Sequence, residues 1–323
     1  MTTQVIERTQ CALDAARFAA MVGVAPTDLA PSCRRVLADS DLRYEVLQGR
    51  EREGHLLSAL RESELPDLRV SGPHRAADWE RGWGENLREF EAAGCEPGTL
   101  VPKYNRHRVL RLMGDYVRVA DPRFEYDVYT ALRHHHFTRW FGEAERVVEF
   151  GCGTGTSLLV LAELFPKLQL CGLDWAESSQ QILRGLSERL GRTIEGRRFD
   201  MFAPDASVQL GKGTAVLTSA ALEQIGGNHG PLLEFVLERA PDLCVHFEPL
   251  VELYEPASLF DEVARRYHVR RNYLTGFVPR LQELEAQGKV EILELRRTGF
   301  GSYFHEGYSV VVWRPVRQAR GGR

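Results

Sequence analysis

From about Arg146 onward, short apolar runs alternate with longer stretches whose apolar residues recur three or four positions apart. That alternation predicts β-α-β units and a mostly parallel sheet. The runs Arg146–Phe150, Leu168–Leu173, Gly196–Phe199, Thr214–Thr218 and Leu243–Phe247 predict five strands. Helices are predicted between them over Thr156–Phe165, stopped by Pro166, over Ser178–Leu190, stopped by Gly191, and over Pro231–Arg239. The last opens with proline at a first-turn position. Near the end, Val290–Leu295 and Tyr308–Trp313 are two strand-like runs joined by a loop with no helix between them. They predict an antiparallel pair closing the sheet. Before about Tyr129 the pattern is helical, rich in charge, Ala and Leu and punctuated by Pro and Gly. The expected fold is α/β: a doubly wound, mostly parallel seven-stranded sheet with an antiparallel C-terminal hairpin. A mainly helical N-terminal extension over residues 1–136 precedes the sheet domain at 137–316, and a disordered tail is expected at 317–323.

Composition narrows the function. Of 323 residues, 43% are hydrophobic and 27% charged, enough for a substantial core. Lys plus Arg is 41 and Asp plus Glu is 45, a net charge of -4. A slightly acidic balance argues against non-specific nucleic-acid binding, which needs an excess of cations. No apolar run approaches the ~20 residues of a membrane span. The opening residues lack the basic-then-apolar order of a signal peptide, and the six cysteines are scattered with no C-x-x-C pair. Reduced thiols in a cytoplasmic protein, with neither disulfide framework nor metal site, are expected.

The strongest motif is Glu149-Phe150-Gly151-Cys152-Gly153-Thr154-Gly155, a strand running into alternating glycines and then a helix. Glycines allow a tight turn and close approach of a ligand to the backbone. The helix start offers free N–H groups. The spacing is G-x-G-x-G, not the G-x-G-x-x-G of dinucleotide enzymes. Asp174 ends the next strand, where a carboxylate can accept ribose hydroxyls; Trp175 follows it. Asp200 and Met201 follow the third strand, an acid for an adenine amino group and an apolar cover for the ring. Glu149, just before the loop, can anchor an ammonium.

At these residues the chain resembles the class I S-adenosylmethionine-dependent methyltransferases, small-molecule type. The resemblance covers roughly residues 137–314. It implies S-adenosylmethionine as cofactor and S-adenosylhomocysteine as product. Glu149, Gly151, Gly153, Gly155, Asp174, Trp175, Asp200 and Met201 are the implied cofactor contacts. The terminal hairpin matches the reversed seventh strand of that family.

The fourth and fifth strands lead into Glu223 and Glu248, with Glu252 and Glu255 nearby. Carboxylates converging on a desolvated site call for a cationic partner. Part of that demand is the sulfonium, and the rest points to a nitrogen acceptor. A guanidinium stays protonated at neutral pH; paired carboxylates can orient it and take the departing proton. Protein arginine methyltransferases resemble this, with two glutamates after strand four, whereas this segment holds only Glu223. Glu248 would take the second role. The ordinary alternatives are a capping glutamate at 223 and turn chemistry at Glu248-Pro249. His229 and His305 are candidate bases for a hydroxyl acceptor; His246 reads as a core residue. His134-His135-His136 cannot share one helix face, so no metal site is expected there.

Two N-terminal stretches stand out. Trp79 and Trp83 are spaced to share a helix face, and Lys103, Tyr104 and Arg106 are candidates to close over a carboxylate of the cofactor or acceptor. The functional expectation is methylation of a small metabolite, best an amine or guanidine. Alternatives are a hydroxyl acceptor, a cofactor-binding protein without catalysis, and an NAD-dependent oxidoreductase.

Overall fold

The computed structural model describes residues 10–102 and 107–317, so Lys103, Tyr104 and Arg106 lie outside the described residues. The N-terminal region holds Ala15–Val22 (α1), Pro31–Asp39 (α2), Gly49–Ser63 (α3), Ala76–Ala92 (α4) and Phe124–Trp140 (α5). It also holds four short strands that the helical pattern did not announce: Gln10–Ala12 (β1), Arg43–Val46 (β2), Val109–Leu112 (β3) and Asp115–Val119 (β4). Each has only three to five residues, and β3 carries a buried arginine. The Arg111 guanidinium lies 3.4 Å from the centre of the Phe260 ring and donates to the Phe260 carbonyl at 2.8 Å. A charge stacked on an aromatic face can be buried this way, and it hides the strand from a hydropathy reading.

The main sheet comprises Arg146–Phe150 (β5), Gln169–Asp174 (β6), Ile194–Arg198 (β7), Thr214–Ser219 (β8), Leu243–Glu248 (β9), Val290–Arg296 (β10) and Ser309–Pro315 (β12). The two-residue strand Phe300–Gly301 (β11) lies between the last two in sequence. Helices Thr156–Leu164 (α6), Glu177–Leu190 (α7), Gly230–Arg239 (α8), Leu259–Arg270 (α9) and Phe277–Ala286 (α10) fill the connections. Strand order is β10-β12-β9-β8-β5-β6-β7. The five strands from β9 to β7 are parallel, and β12 runs antiparallel to both of its neighbours. This is the doubly wound sheet with a reversed hairpin that the pattern predicted.

The central strands are buried on both faces, as continuous apolar runs such as Ala215-Val216-Leu217 require. Leu158, Leu161, Leu183 and Phe137 pack on one face of the sheet; Phe235, Phe277, Leu281 and Trp313 pack on the other. Helix α6 stops before Pro166, and α7 ends on Gly191 with a left-handed φ of 58°.

β11 does not join the main sheet. Phe300 and Gly301 pair with Leu112 and Arg111, completing a five-stranded sheet β1-β2-β4-β3-β11. The N-terminal region and the last hairpin are therefore knitted together, and the division expected at residues 136–137 falls within α5. The expected tail begins with Arg317, which donates to the Ala240 carbonyl at 3.1 Å and pairs with Asp242; residues 318–323 lie outside the described set. No helix among the described residues is long and apolar enough to cross a membrane.

Candidate active site

Strands β5, β6 and β8 deliver their carboxyl ends to a cavity of about 350 Å³, the place and size expected of a small-molecule site in a doubly wound sheet. Gly151, Gly153 and Gly155 follow β5 with φ of 70°, 52° and 74°. Gly151 and Gly153 line the cavity, whereas Gly155 does not. A Cβ on Gly155 would sit 2.6 Å from Leu183 Cδ2, so this glycine serves the contact between α6 and α7.

Asp174 ends β6 almost fully buried at the cavity wall. Its Oδ2 accepts the Gly153 N–H and its Oδ1 the Ala176 N–H, both at 2.9 Å. One carboxylate thus holds the glycine loop and the start of α7 together. Burial pushes its pKa up to about 6, opposed by those backbone donors. Glu149 is 2% exposed, and its Oε2 has no hydrogen-bond partner among the described residues. Burial pushes it up to about 8, against the pull of the Ser157 hydroxyl and the Arg133 charge. A buried carboxylate with an unmet oxygen facing a cavity calls for a donor, best a cationic one.

Trp175 and Met201 line the cavity and, with Phe202, a small adjoining crevice. The Trp175 and Phe202 rings lie nearly parallel with centres 6.2 Å apart. Asp200 is exposed, does not line the cavity, and accepts the Phe202 N–H at 2.9 Å. On the other wall, α4 brings Trp83 over Gly153, and Trp79 stacks on Trp83 at 5.3 Å. Glu80 from the same helix accepts the N–H groups of Glu177 and Ser178 at 2.6 and 3.2 Å. A carboxylate there suits the positive end of α7.

Glu223 lines the cavity beyond β8, buried, with Oε1 accepting from Gln224 at 2.7 Å. Its pKa is pushed up, first by burial and then by the nearby Glu248 charge. Glu248 is fully buried and does not line the cavity. Its carboxylate accepts the N–H groups of Ala221, Leu222 and Glu223 at 3.1, 3.0 and 3.3 Å. Burial pushes its pKa up to about 7, opposed by those three donors, so Glu248 ionises before Glu223. It braces the turn that carries Glu223 instead of facing an acceptor. Glu248→Ala is expected to lower stability by about 1–3 kcal/mol for each donor left unmet. Urea unfolding checks this; an unchanged midpoint would remove the bracing role.

Glu252 accepts the Gly276 N–H and Glu255 the Ala257 N–H, and neither lines the cavity. His229 bonds the Thr275 carbonyl away from it, and His246 is a core residue between Thr218 and Trp313. The three consecutive histidines are buried within α5. His305 does line the cavity. Its ring lies parallel to Tyr267 at 5.7 Å and edge-on to Tyr273 at 5.4 Å, with Nδ1 buried and unpartnered among the described residues. Burial, then the charges of His268 and Arg271, push its pKa down to about 3, so it is a neutral imidazole at pH 7.

The loop carrying His305 is tightly closed. A Cβ on Gly301 would fall 2.3 Å from the Gly307 nitrogen and 2.4 Å from the His305 carbonyl oxygen. Glu306 and Asp261, both buried, grip Arg297 from two sides with contacts of 2.7 Å. Tyr308 stacks on Tyr129 at 4.3 Å and bonds Glu125, while Tyr129 bonds Ser219. Sequence reasoning had not singled out Tyr129, Tyr267, Arg271 or Tyr273. They belong to helices or their ends and carry no local motif.

The strand order, with β12 reversed between β9 and β10, is the one that the resemblance to class I S-adenosylmethionine-dependent methyltransferases implies. No protein-family model matches the sequence. Among solved structures, the chain is similar to LaPhzM, with 15% identity, a TM-score of 0.41, and 60% of this chain and 59% of that one covered. It is also similar to the magnesium protoporphyrin IX methyltransferase of Synechocystis PCC 6803 with bound SAM, at 13% identity and TM-score 0.42, covering 60% and 82% of the two chains. Human N-acetylserotonin methyltransferase in complex with SAM shows 14% identity and TM-score 0.42, covering 83% and 67%. These likenesses are distant, and the fold assignment stands on the strand order itself.

Proposed function

We propose that this chain is a methyltransferase that uses S-adenosylmethionine to methylate a small acceptor. The observation that carries this reading is the unmet Oε2 of buried Glu149 beside the glycine loop and Asp174. That set matches a nucleoside bearing an ammonium: Glu149 for the ammonium, Asp174 for the ribose, and Trp175, Met201 and Phe202 for the base. S-adenosylmethionine supplies a methyl group activated by a sulfonium.

The residues facing the far side of the cavity then position an acceptor lone pair in line with that methyl. Glu223, its pKa pushed up to about 8 by burial, is the group that can take a proton from an acceptor ammonium, and the neutral His305 is a hydrogen-bond partner for the acceptor. With Glu248 turned to the backbone, a two-carboxylate clamp for a guanidine loses its second member, and a simple amine becomes the favoured acceptor. A hydroxyl acceptor is the second reading, because Glu223 and the neutral His305 can each accept a hydrogen bond from an O–H as readily as from an N–H.

The test is S-adenosylhomocysteine release from S-adenosylmethionine across a panel of amines, guanidines and phenols, with mass spectrometry of the products. Glu223→Gln is expected to lower turnover about 100-fold or more while leaving cofactor affinity within about twofold. Wild-type turnover in that variant would return Glu223 to a structural role. Tight cofactor binding without release with any acceptor would favour a non-catalytic binder, and a preference for NAD would overturn the reading.

A further inference from the structure

The wall of the cavity beside Glu223 carries cations as well as a carboxylate. Arg75 is 8% exposed and lines the cavity. Its Nε donates to Asp78 at 2.7 Å and its guanidinium lies 5.9 Å from the Trp79 ring centre, but its buried Nη1 has no partner among the described residues. Arg271 lines the same cavity. Its Nη2 donates to the Tyr273 hydroxyl at 2.8 Å, and its buried Nε is likewise unpartnered. The segments bearing them are tied together. The Ser71 N–H donates to the Arg271 carbonyl at 2.8 Å, Asn272 donates to the Ser71 carbonyl at 3.1 Å, and the Ser71 hydroxyl donates to Gln224 at 3.2 Å. The chain on either side of Ser71 and the turn at Arg271–Asn272 are thus anchored to the turn that presents Glu223.

Unmet guanidinium N–H groups in a desolvated wall call for an acceptor, best an anionic one. The planar guanidinium forks suit a carboxylate. Glu149 and Asp174 occupy the glycine-loop wall, whereas Arg271 and the segment leading to Arg75 are tied to the Glu223 turn. We infer that Arg75 and Arg271 bind a carboxylate of the acceptor, so that the acceptor is a carboxylate-bearing molecule of amino-acid type with its reacting nitrogen or oxygen turned toward Glu223 and His305. This rests on the methyltransferase reading and names its substrate class.

The experiment uses matched acceptors with and without the carboxylate: the free amino acids, each beside its decarboxylated amine. Turnover is read with S-adenosylmethionine, and binding is read by calorimetry on protein loaded with S-adenosylhomocysteine. The carboxylate-bearing member of a pair is expected to be favoured by about 10- to 100-fold. Arg271→Gln and Arg75→Gln are expected to erase that preference chiefly through KM, with S-adenosylhomocysteine affinity within about twofold of wild type. Arg271→Lys should restore part of it. An unchanged S-adenosylhomocysteine affinity also shows that the variants are folded. Equal or better use of the decarboxylated amines overturns the inference. So does a tenfold loss of S-adenosylhomocysteine affinity in either variant, which would assign the arginines to the cofactor's own carboxylate. Failure of every carboxylate-bearing acceptor to bind or react, with the cofactor bound normally, also overturns it and leaves the methyltransferase reading standing. Failure of the wild-type chain to bind S-adenosylhomocysteine at all would instead sink that underlying reading.

Discussion

Arg297→Met is expected to destabilise the protein by about 3–5 kcal/mol, because it leaves buried carboxylates without their shared cation. Glu306 is 0% and Asp261 2% exposed, and each makes two hydrogen bonds of 2.7 Å to the Arg297 guanidinium. What remains is the Glu255 N–H on Asp261 at 2.8 Å and Arg111 at 3.5 Å from Asp261. Glu306 would keep its main-chain bond to the Tyr254 hydroxyl, at 3.0 Å, which does nothing for its carboxylate. Denaturant unfolding reads the effect as a lower midpoint at constant slope. Arg297→Lys should recover only part, since an ammonium cannot reproduce the planar fork that bridges both acids. A loss below about 1 kcal/mol would show that the two acids do not depend on this cation.

Glu149→Gln is expected to weaken S-adenosylhomocysteine binding by about 2–5 kcal/mol, the cost of truncating one partner of a buried charge pair. The same assignment gives a pH dependence whose sign is fixed. Glu149 has its pKa raised to about 8 in the ligand-free protein, so it carries a proton at neutral pH. That proton must leave before the carboxylate can pair with an ammonium. Affinity should therefore rise with pH up to about 8, by at most roughly tenfold per unit, with proton release on binding. The raised pKa also means that the free protein loses stability as pH climbs from the ordinary glutamate range toward 8, since the unfolded chain gives up the proton first. Calorimetry in buffers of different ionisation enthalpy measures the proton count. Binding without proton release at pH 6–7, or a Glu149→Gln variant with the same pH profile as wild type, would remove Glu149 from the ammonium site.

Much of the fold was legible because parallel strands buried on both faces are written as unbroken apolar runs, and each was bounded by Pro, Gly or a capping residue. The cofactor end of the site was legible for a related reason. Glu149, Gly151, Gly153 and Asp174 sit at or just beyond strand ends, where backbone direction alone places them. Past those ends the reading weakened. Asp200 and Met201 are adjacent, yet only Met201 faces the cavity, because a turn and not a strand sets their directions. Glu248 ends its strand as Asp174 does, but its carboxylate meets three backbone N–H groups before it reaches open space. Arg75 enters the site from the start of α4, and Tyr267, Arg271 and Tyr273 from α9 and the turn after it, so only tertiary packing brings them into one cavity with Glu223. The short N-terminal strands were hidden because their apolar positions are too few to set a period.

The pairing of β11 with β3 also imposes an order on synthesis. The chain emerges from its amino end, so Leu112 and Arg111 leave the ribosome long before Phe300 and Gly301 exist. Until then the edge of β3 stands without the neighbour it has in the finished protein, and an open strand edge is a template for wrong partners. The closing strand is carried by the same late segment that brings His305 and Tyr308. Sealing the amino-terminal sheet and completing the pocket therefore depend on one segment, made nearly two hundred residues after the strand it closes.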